Sequence, residues 1–191
     1  MHIIIFDDME QATEEEVRRM LPLVSEERRR QALQFRFVFG QFACLKSYLM
    51  LADALPVAWR PLRFSTGPYG KPSLVGHADV HFNLSHCQHG IAVIVHNRPV
   101  GIDIERFHHA EQALVERTMN GQEQRLIAQS NHPDEAFTAL WTKKEAVLKL
   151  KGTGIVDDLH SVLADEGVQV QTLINRERKY AYSIAMTVQA E

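Results

Sequence analysis

The fold of this chain is decided by VGIDIE at residues 100–105, taken together with WTKKEAVLK at residues 141–149. The first stretch is predicted to be a strand, because apolar residues alternate and strand side chains return to one face at every second residue. Asp103 and Glu105 therefore share a face. The second stretch is predicted to be a helix, in which positions i and i+4 lie together, so Glu145 and Lys149 point the same way.

A contact between this strand and this helix would gather three carboxylates and one ammonium. Such an oxygen-rich cluster suits Mg²⁺, and the lysine remains for a phosphate. Simpler interpretations exist: the strand carboxylates can form a solvated face, and Glu145 with Lys149 can be a surface ion pair. Like charges on a half-buried strand are costly without a cation, however. The same helix end also carries Lys143, Lys144 and Lys151 beside a glycine loop, which suits a phosphate-bearing ligand.

Composition narrows the class of protein. The chain has 191 residues, 45% hydrophobic and 24% charged, which is ordinary for a soluble globular protein with one domain or two small ones. A formal charge of −3 disfavours a nucleic-acid binder that relies on global positive charge. Cys44 and Cys87 form no CxxC pair, the first residues carry no signal-peptide pattern, and no run is long enough to span a bilayer. A cytoplasmic protein is the expectation.

The order of predicted elements favours an α+β fold of two similar halves, 1–98 and 99–191, in a pseudo-twofold arrangement with a cleft at the seam. Ser25 is predicted to cap a basic helix that runs from Glu26 to about Phe37, and an apolar helix follows from Gln41 to Leu55. Residues 110–150 are predicted to be mostly helical, ending at the glycines of 152–154. The tail alternates like an antiparallel sheet, with strands predicted at 161–164, 168–174 and 179–188.

Other polar residues give weaker signals. Lys71 lies in a Gly-Lys-Pro turn, where a solvated lysine is the usual case. Ser85 and His86 stand at a strand end, where a hydroxyl and an imidazole can hold a phosphate. The histidines between 77 and 89 have no spacing that fits a closed zinc site. The sequence contains no P-loop and no GxGxxG.

Taken together, the motifs resemble the 4′-phosphopantetheinyl transferase superfamily, and within it the Sfp-type enzymes. The motifs occur in the family's order and spacing over about residues 60 to 155. They are RFST at 63–66, YGKP at 69–72, HFNLSH at 81–86, PVGIDIE at 99–105 and WTKKEAVLK at 141–149. The joint match is specific, whereas no single motif would be.

The resemblance implies transfer of phosphopantetheine from coenzyme A to a serine of an apo acyl or peptidyl carrier protein, which leaves adenosine 3′,5′-bisphosphate. It implies that Asp103, Glu105 and Glu145 hold Mg²⁺ against the pyrophosphate. Lys149 would contact that pyrophosphate and stabilise the leaving group. Glu145 would also act, directly or through water, as the base for the serine. This agrees with the general chemistry, because phosphoryl-type transfer mainly asks for positioning and charge neutralisation.

The resemblance also implies coenzyme A contacts. Lys71, Ser85 and His86 match positions that hold the 3′-phosphate and nearby atoms, and Arg28 matches a basic nucleotide-contacting position. Two positions depart from the family pattern, since Gln31 replaces a basic residue and Cys44 replaces a hydroxyl residue. Lys46, or Arg29 and Arg30, would substitute for them.

Two rival functions stay open at this stage. A Mg²⁺-dependent phosphohydrolase would use the same carboxylates with water in place of the carrier serine. A non-catalytic carrier-binding module is disfavoured, because each metal-ligand position holds a competent residue. Since residues for both walls of one cleft occur in one chain, the protein is predicted to be a monomer with one coenzyme A site. It is expected to have neither nucleic-acid nor membrane partners.

Overall fold

The computed structural model describes residues 1–154 and 158–188. Within them the chain forms six α-helices and eight β-strands. The helices are α1 (Glu14–Met20), α2 (Glu26–Leu33), α3 (Val38–Asp53), α4 (Gln112–Thr118), α5 (Gly121–Gln129) and α6 (Pro133–Lys151). The strands are β1 (His2–Phe6), β2 (Phe64–Thr66), β3 (Pro72–Leu74), β4 (His81–Cys87), β5 (Gly90–His96), β6 (Val100–Arg106), β7 (Val168–Asn175) and β8 (Tyr180–Thr187). The mixed α and β content agrees with the predicted class.

Two small antiparallel sheets form the framework. The first has the strand order β1-β5-β4, and the second has the order β6-β8-β7. Helices α1 to α3 pack on the first sheet around buried Phe42, Leu45 and Leu51, whereas α6 packs on the second. The division at residue 98 and the pseudo-twofold relation between the halves stay predictions.

Strand β6 and helix α6 approach each other very closely at Gly101. A Cβ atom at this position would lie 2.0 Å from the carbonyl oxygen of Ala146 and 2.5 Å from the backbone nitrogen of Leu150. No side chain fits there, because both contacts are to backbone. This glycine therefore lets the carboxylate strand lie directly against the helix that carries Glu145 and Lys149.

Two predicted elements differ from the structure. The basic helix ends at Leu33 instead of near Phe37, and the chain turns before α3 begins at Val38. The turn is shaped by Phe35, whose ring packs on Gly40 and whose carbonyl accepts a hydrogen bond from Gln41 Nε2 (2.9 Å). The predicted strand at 161–164 is a single 3₁₀ turn, closed by a bond from Ala164 N–H to the Ser161 carbonyl. The other tail strands, β7 and β8, are present.

The described parts of the chain contain no helix with the length and apolar character that crossing a bilayer requires. Cys44 and Cys87 are both free thiols.

Candidate active site

Strands β4 and β6 belong to different sheets and meet through side chains, along a line called the seam below. The side-chain oxygen of Asn83 accepts the backbone N–H of Ile102 (2.9 Å), and Ser85 Oγ accepts that of Ile104 (3.3 Å). Asn83 and Ser85 are both buried, so these bonds satisfy backbone donors that would otherwise lack partners. The two side chains thus join the two sheets where no strand ladder is found among the described residues.

A compact polar network lies on this seam. Lys149 Nζ is 2.6 Å from Asp103 Oδ1 and 2.8 Å from Ser85 Oγ. Ser85 Oγ donates in turn to Asp103 Oδ1 at 2.8 Å. The network joins β4, β6 and α6, so the predicted approach of the carboxylate strand to the lysine helix is found in the structure.

Negative charge accumulates around this network. Asp103 is 2% exposed, and its Oδ2 atom has no hydrogen-bond partner among the described residues. Burial, reinforced by the charge of Asp103, raises the pKa of Glu105 to about 7. Burial is also the main cause that raises the pKa of Glu145, and the negative charge of Asp103 adds to it. Each rise in pKa indicates that the surroundings destabilise the charged carboxylate, and a nearby cation would stabilise that charged form.

The donor chemistry fits a hard divalent cation. An unpartnered buried carboxylate oxygen on Asp103, with Glu105 and Glu145 nearby, supplies the all-oxygen ligands that Mg²⁺ prefers. In the described residues, however, no three acidic, histidine or cysteine side chains are already gathered into a metal-ligand set. The ammonium of Lys149 instead forms an ion pair with Asp103 and so supplies the positive charge there.

A cavity of about 300 Å³ opens beside the network. Its walls come from the loop between β2 and β3, from strand β4 and from the end of α6. The lining residues are Tyr69, Gly70, Lys71, Pro72, Asn83, Leu84, Glu145, Leu148, Lys149, Gly152 and Gly154. The volume lies at the lower end of the range usual for small-molecule sites.

The predicted coenzyme A residues are distributed unevenly around this cavity. Lys71 lines it, while Ser85 is bonded to Lys149, which also lines it. The side chain of His86 is exposed on β4; partial desolvation, with the charge of Lys149 adding to it, lowers its pKa. Arg28 and Lys46 lie outside the described lining. The guanidinium of Arg28 packs on aromatic rings and donates to Cys44 Sγ (3.6 Å).

Two lysines that the sequence grouped as a phosphate-binding helix end are engaged elsewhere. Lys144 is fully buried, with its Nζ 2.8 Å from Glu123 Oε2 and 2.7 Å from the carbonyl of Leu159. Lys151 pairs with Asp165 at 2.6 Å on the surface. The grouping was therefore wrong for Lys144, because the side chain points into the interface between α5 and α6.

The sequence interpretation missed Asn83, which was only part of a motif. Its signal was present, since an asparagine between the buried residues of a strand needs a partner for its amide. The structure shows that this partner is the N–H of Ile102 across the seam.

Comparison with known proteins decides the family. The model of the 4′-phosphopantetheinyl transferase superfamily matches residues 99–188. A 4′-phosphopantetheinyl transferase of Bacillus pumilus is 35% identical over 157 residues, which cover 78% of this chain and 66% of the relative. One of Bacillus subtilis is 30% identical over 159 residues, covering 78% and 70%. The chain belongs to the 4′-phosphopantetheinyl transferase superfamily. A similar transferase of Aneurinibacillus migulanus is 30% identical over 147 residues, covering 76% and 60%.

The superfamily match confirms the resemblance seen in the motifs. It spans β6 to β8 and so contains Asp103, Glu105, Glu145 and Lys149. This superfamily member spans 60% to 70% of the length of the three relatives named above.

Proposed function

We propose that this chain transfers 4′-phosphopantetheine from coenzyme A to a serine hydroxyl of an apo acyl or peptidyl carrier protein. The observation that carries the proposal is the Ser85–Asp103–Lys149 network beside a cavity lined by Glu145, in a member of this superfamily. The serine oxygen would form a bond to the phosphorus next to the pantetheine. The pyrophosphate P–O bond would break, and adenosine 3′,5′-bisphosphate would leave.

The proposed metal ligands are Asp103, Glu105 and Glu145. A bound Mg²⁺ supplies neutralisation of the pyrophosphate charge and of the charge that builds on the leaving group. The unpartnered oxygen of Asp103 and the raised pKa values of both glutamates support this assignment. When the acids carry such a cation, Lys149 no longer has to be the counter-charge of Asp103.

The other proposed roles belong to two side chains on the wall of the cavity. Lys149 would donate hydrogen bonds to the pyrophosphate and to the departing bisphosphate. Glu145, which lines the cavity, would take the proton of the incoming serine directly or through water. Both residues lie on the same face of α6, one helical turn apart.

Coenzyme A is proposed to lie in the cavity between the two halves. Ser85 and His86 would contact it from β4. For Arg28 and Lys46, nucleotide contact stays a prediction. In the structure Lys46 Nζ lies 4.1 Å from the centre of the Phe6 ring, and Arg28 packs against Tyr48 and Phe64. Both cations would have to turn from these rings to reach a phosphate.

We expect Lys149→Met to lower kcat for transfer by about 100-fold, with a smaller rise in KM for coenzyme A. The physical reason is that contact with the leaving group strengthens as negative charge builds on it. Steady-state kinetics with saturating carrier protein measures both constants. Lys143→Met is the matched control, because this lysine lies six residues earlier on α6 and is not in the described lining of the cavity. Wild-type kinetics for Lys149→Met would reduce Lys149 to an ion-pair partner.

The protein is predicted to be a monomer that binds one coenzyme A. Residues 69–72, 83 and 84 form one wall of the cavity and the end of α6 forms the other, while Ser85 bonds to Lys149 beside it. A single chain therefore supplies both walls. Light scattering after size exclusion is expected to give the mass of one chain, and calorimetry a stoichiometry of one. An obligate trimer that loses activity on dilution would contradict the prediction. A cytoplasmic location also stays a prediction.

The proposed reaction and its hydrolase rival differ in their need for a carrier protein. We expect release of adenosine 3′,5′-bisphosphate from coenzyme A and Mg²⁺ only when an apo carrier protein is present. A carrier whose acceptor serine is replaced by alanine is the control, and it should release none. Release without any carrier would favour the phosphohydrolase. Binding of carrier without release in any mixture would favour the non-catalytic module.

A further inference from the structure

Lys71 crosses the seam between the two halves of the chain. It lies on the loop between β2 and β3, and its Nζ donates to three backbone carbonyls of β6 and α6. The acceptors are Lys149 at 2.6 Å, Leu150 at 3.0 Å and Val100 at 3.2 Å. An ammonium has three N–H donors, so this arrangement uses all of them.

Two of these acceptors are carbonyls that the end of a helix leaves without partners. At the end of α6, the Gly152 N–H donates a hydrogen bond to the carbonyl of Leu148 at 2.8 Å. The next two carbonyls, those of Lys149 and Leu150, accept hydrogen bonds from Lys71 Nζ. A lysine at this position also complements the negative end of the helix dipole.

The turn after α6 is shaped around the lysine side chain. Gly152 has a φ of 67°, and a Cβ there would lie 3.1 Å from Lys71 Cδ. The left-handed conformation and the close contact both favour glycine. The stem of Lys71 therefore packs on the chain just beyond the helix while its ammonium holds the last carbonyls.

The held turn is the one that carries Lys149. Its backbone carbonyl is fixed by Lys71, and its Nζ is 2.6 Å from Asp103 Oδ1. A loosened turn would let the ammonium of Lys149 move relative to the carboxylates, and displacements of about 1 Å can cost about 100-fold in rate.

We propose that Lys71 is a positioning residue, which holds the end of α6 so that Lys149 is aimed at the transferring group. The inference rests on the proposed transferase function. It differs from the expectation that Lys71 binds the 3′-phosphate, because the ammonium is already bonded to three carbonyls.

Steady-state kinetics of Lys71→Met with coenzyme A and with dephospho-coenzyme A tests the inference. We expect kcat to fall about 10- to 100-fold with both substrates, while KM changes little. Lys71→Arg keeps the charge and donors, and is expected to recover part of the lost kcat. Lys151→Met is the matched control, since it removes a lysine from the same turn without touching these carbonyls, and it should retain wild-type kcat. An increase in KM confined to coenzyme A, with unchanged kcat, would overturn the inference.

Hydrogen exchange supplies a readout that needs no activity. Backbone amides at the end of α6 should exchange faster in Lys71→Met than in wild type or Lys151→Met. The reason is that the carbonyl clamp, the three hydrogen bonds from Lys71 Nζ to backbone carbonyls, is lost. Unchanged exchange would overturn the inference. If Lys71→Met does not fold, Lys71→Arg carries the kinetic measurement, and a wild-type kcat with raised KM for coenzyme A alone would again overturn it. A wild-type protein that transfers nothing would refute the proposed function, while the exchange experiment would still test the clamp.

Discussion

Asp103→Asn is expected to lower phosphopantetheinyl transfer by about 1,000-fold or more, the scale set by loss of several kcal/mol of charge stabilisation. The amide has nearly the shape of the carboxylate, so the buried bonds from Ser85 and Lys149 lose strength without leaving a cavity. It lacks the charge that a divalent cation requires, and it removes the oxygen that stands unpartnered in the structure.

The matched control is Asp134→Asn. Asp134 is also an aspartate with a side-chain partner, but it pairs with His109 on the surface and does not line the cavity. It should retain wild-type transfer, and Asp103→Asn should keep a wild-type circular dichroism spectrum. Transfer by Asp103→Asn within a few-fold of wild type, or full transfer by wild type in excess chelator, would contradict the metal assignment.

Lys144→Met is expected to lower the free energy of unfolding by about 3–5 kcal/mol, because it leaves a buried carboxylate without its cation. Glu123 is nearly buried and also accepts the backbone N–H of Asn120 at 2.7 Å. Lys144 in turn satisfies the carbonyl of Leu159 at 2.7 Å. The pair thus joins α5, α6 and the segment beyond α6.

Urea unfolding measures this loss, with Lys143→Met as the control on the neighbouring position of the same helix. The double variant Glu123→Leu/Lys144→Met is expected to recover much of the lost stability, because neither charge is then buried alone. Equal stability of Lys144→Met and Lys143→Met would contradict a structural role for the pair. A double variant less stable than Lys144→Met would show that the interface needs the charges themselves.

The strand and helix of the site could be predicted because their periods are local. Alternation in residues 100–105 and the four-residue spacing of Glu145 and Lys149 need no knowledge of distant contacts. Their meeting was an inference, and the structure supports it through the bond between Lys149 and Asp103, which are 46 positions apart.

The destinations of the other lysines could not be predicted in the same way. Lysine is rarely buried, so the lysines at 143, 144 and 151 predict a helix end that suits a phosphate-bearing ligand. The burial of Lys144 depends on its ion pair with Glu123 of α5. The bonds from Lys71 to the carbonyls at the end of α6 join residues that are nearly 80 positions apart. Neither partner leaves a periodic signal in the sequence.

Local ambiguity explains the two misplaced elements. The residues of 161–164 are too few for apolar alternation to separate a strand from a turn. Beyond Leu33 the chain has no proline to end the helix, and the turn depends on the packing of Phe35 against Gly40 and on the hydrogen bond from Gln41 to the Phe35 carbonyl. Both outcomes are set by tertiary contacts, which outweigh weak local preference.

Intact-mass spectrometry of an apo carrier protein tests the central claim most directly. After incubation with this protein, coenzyme A and Mg²⁺, the carrier should gain the mass of one phosphopantetheine, located on its acceptor serine. Parallel incubations with Asp103→Asn or with excess chelator should leave the carrier in its apo form. A carrier of unchanged mass after incubation with the folded wild-type protein, across acyl and peptidyl carriers, would contradict the account.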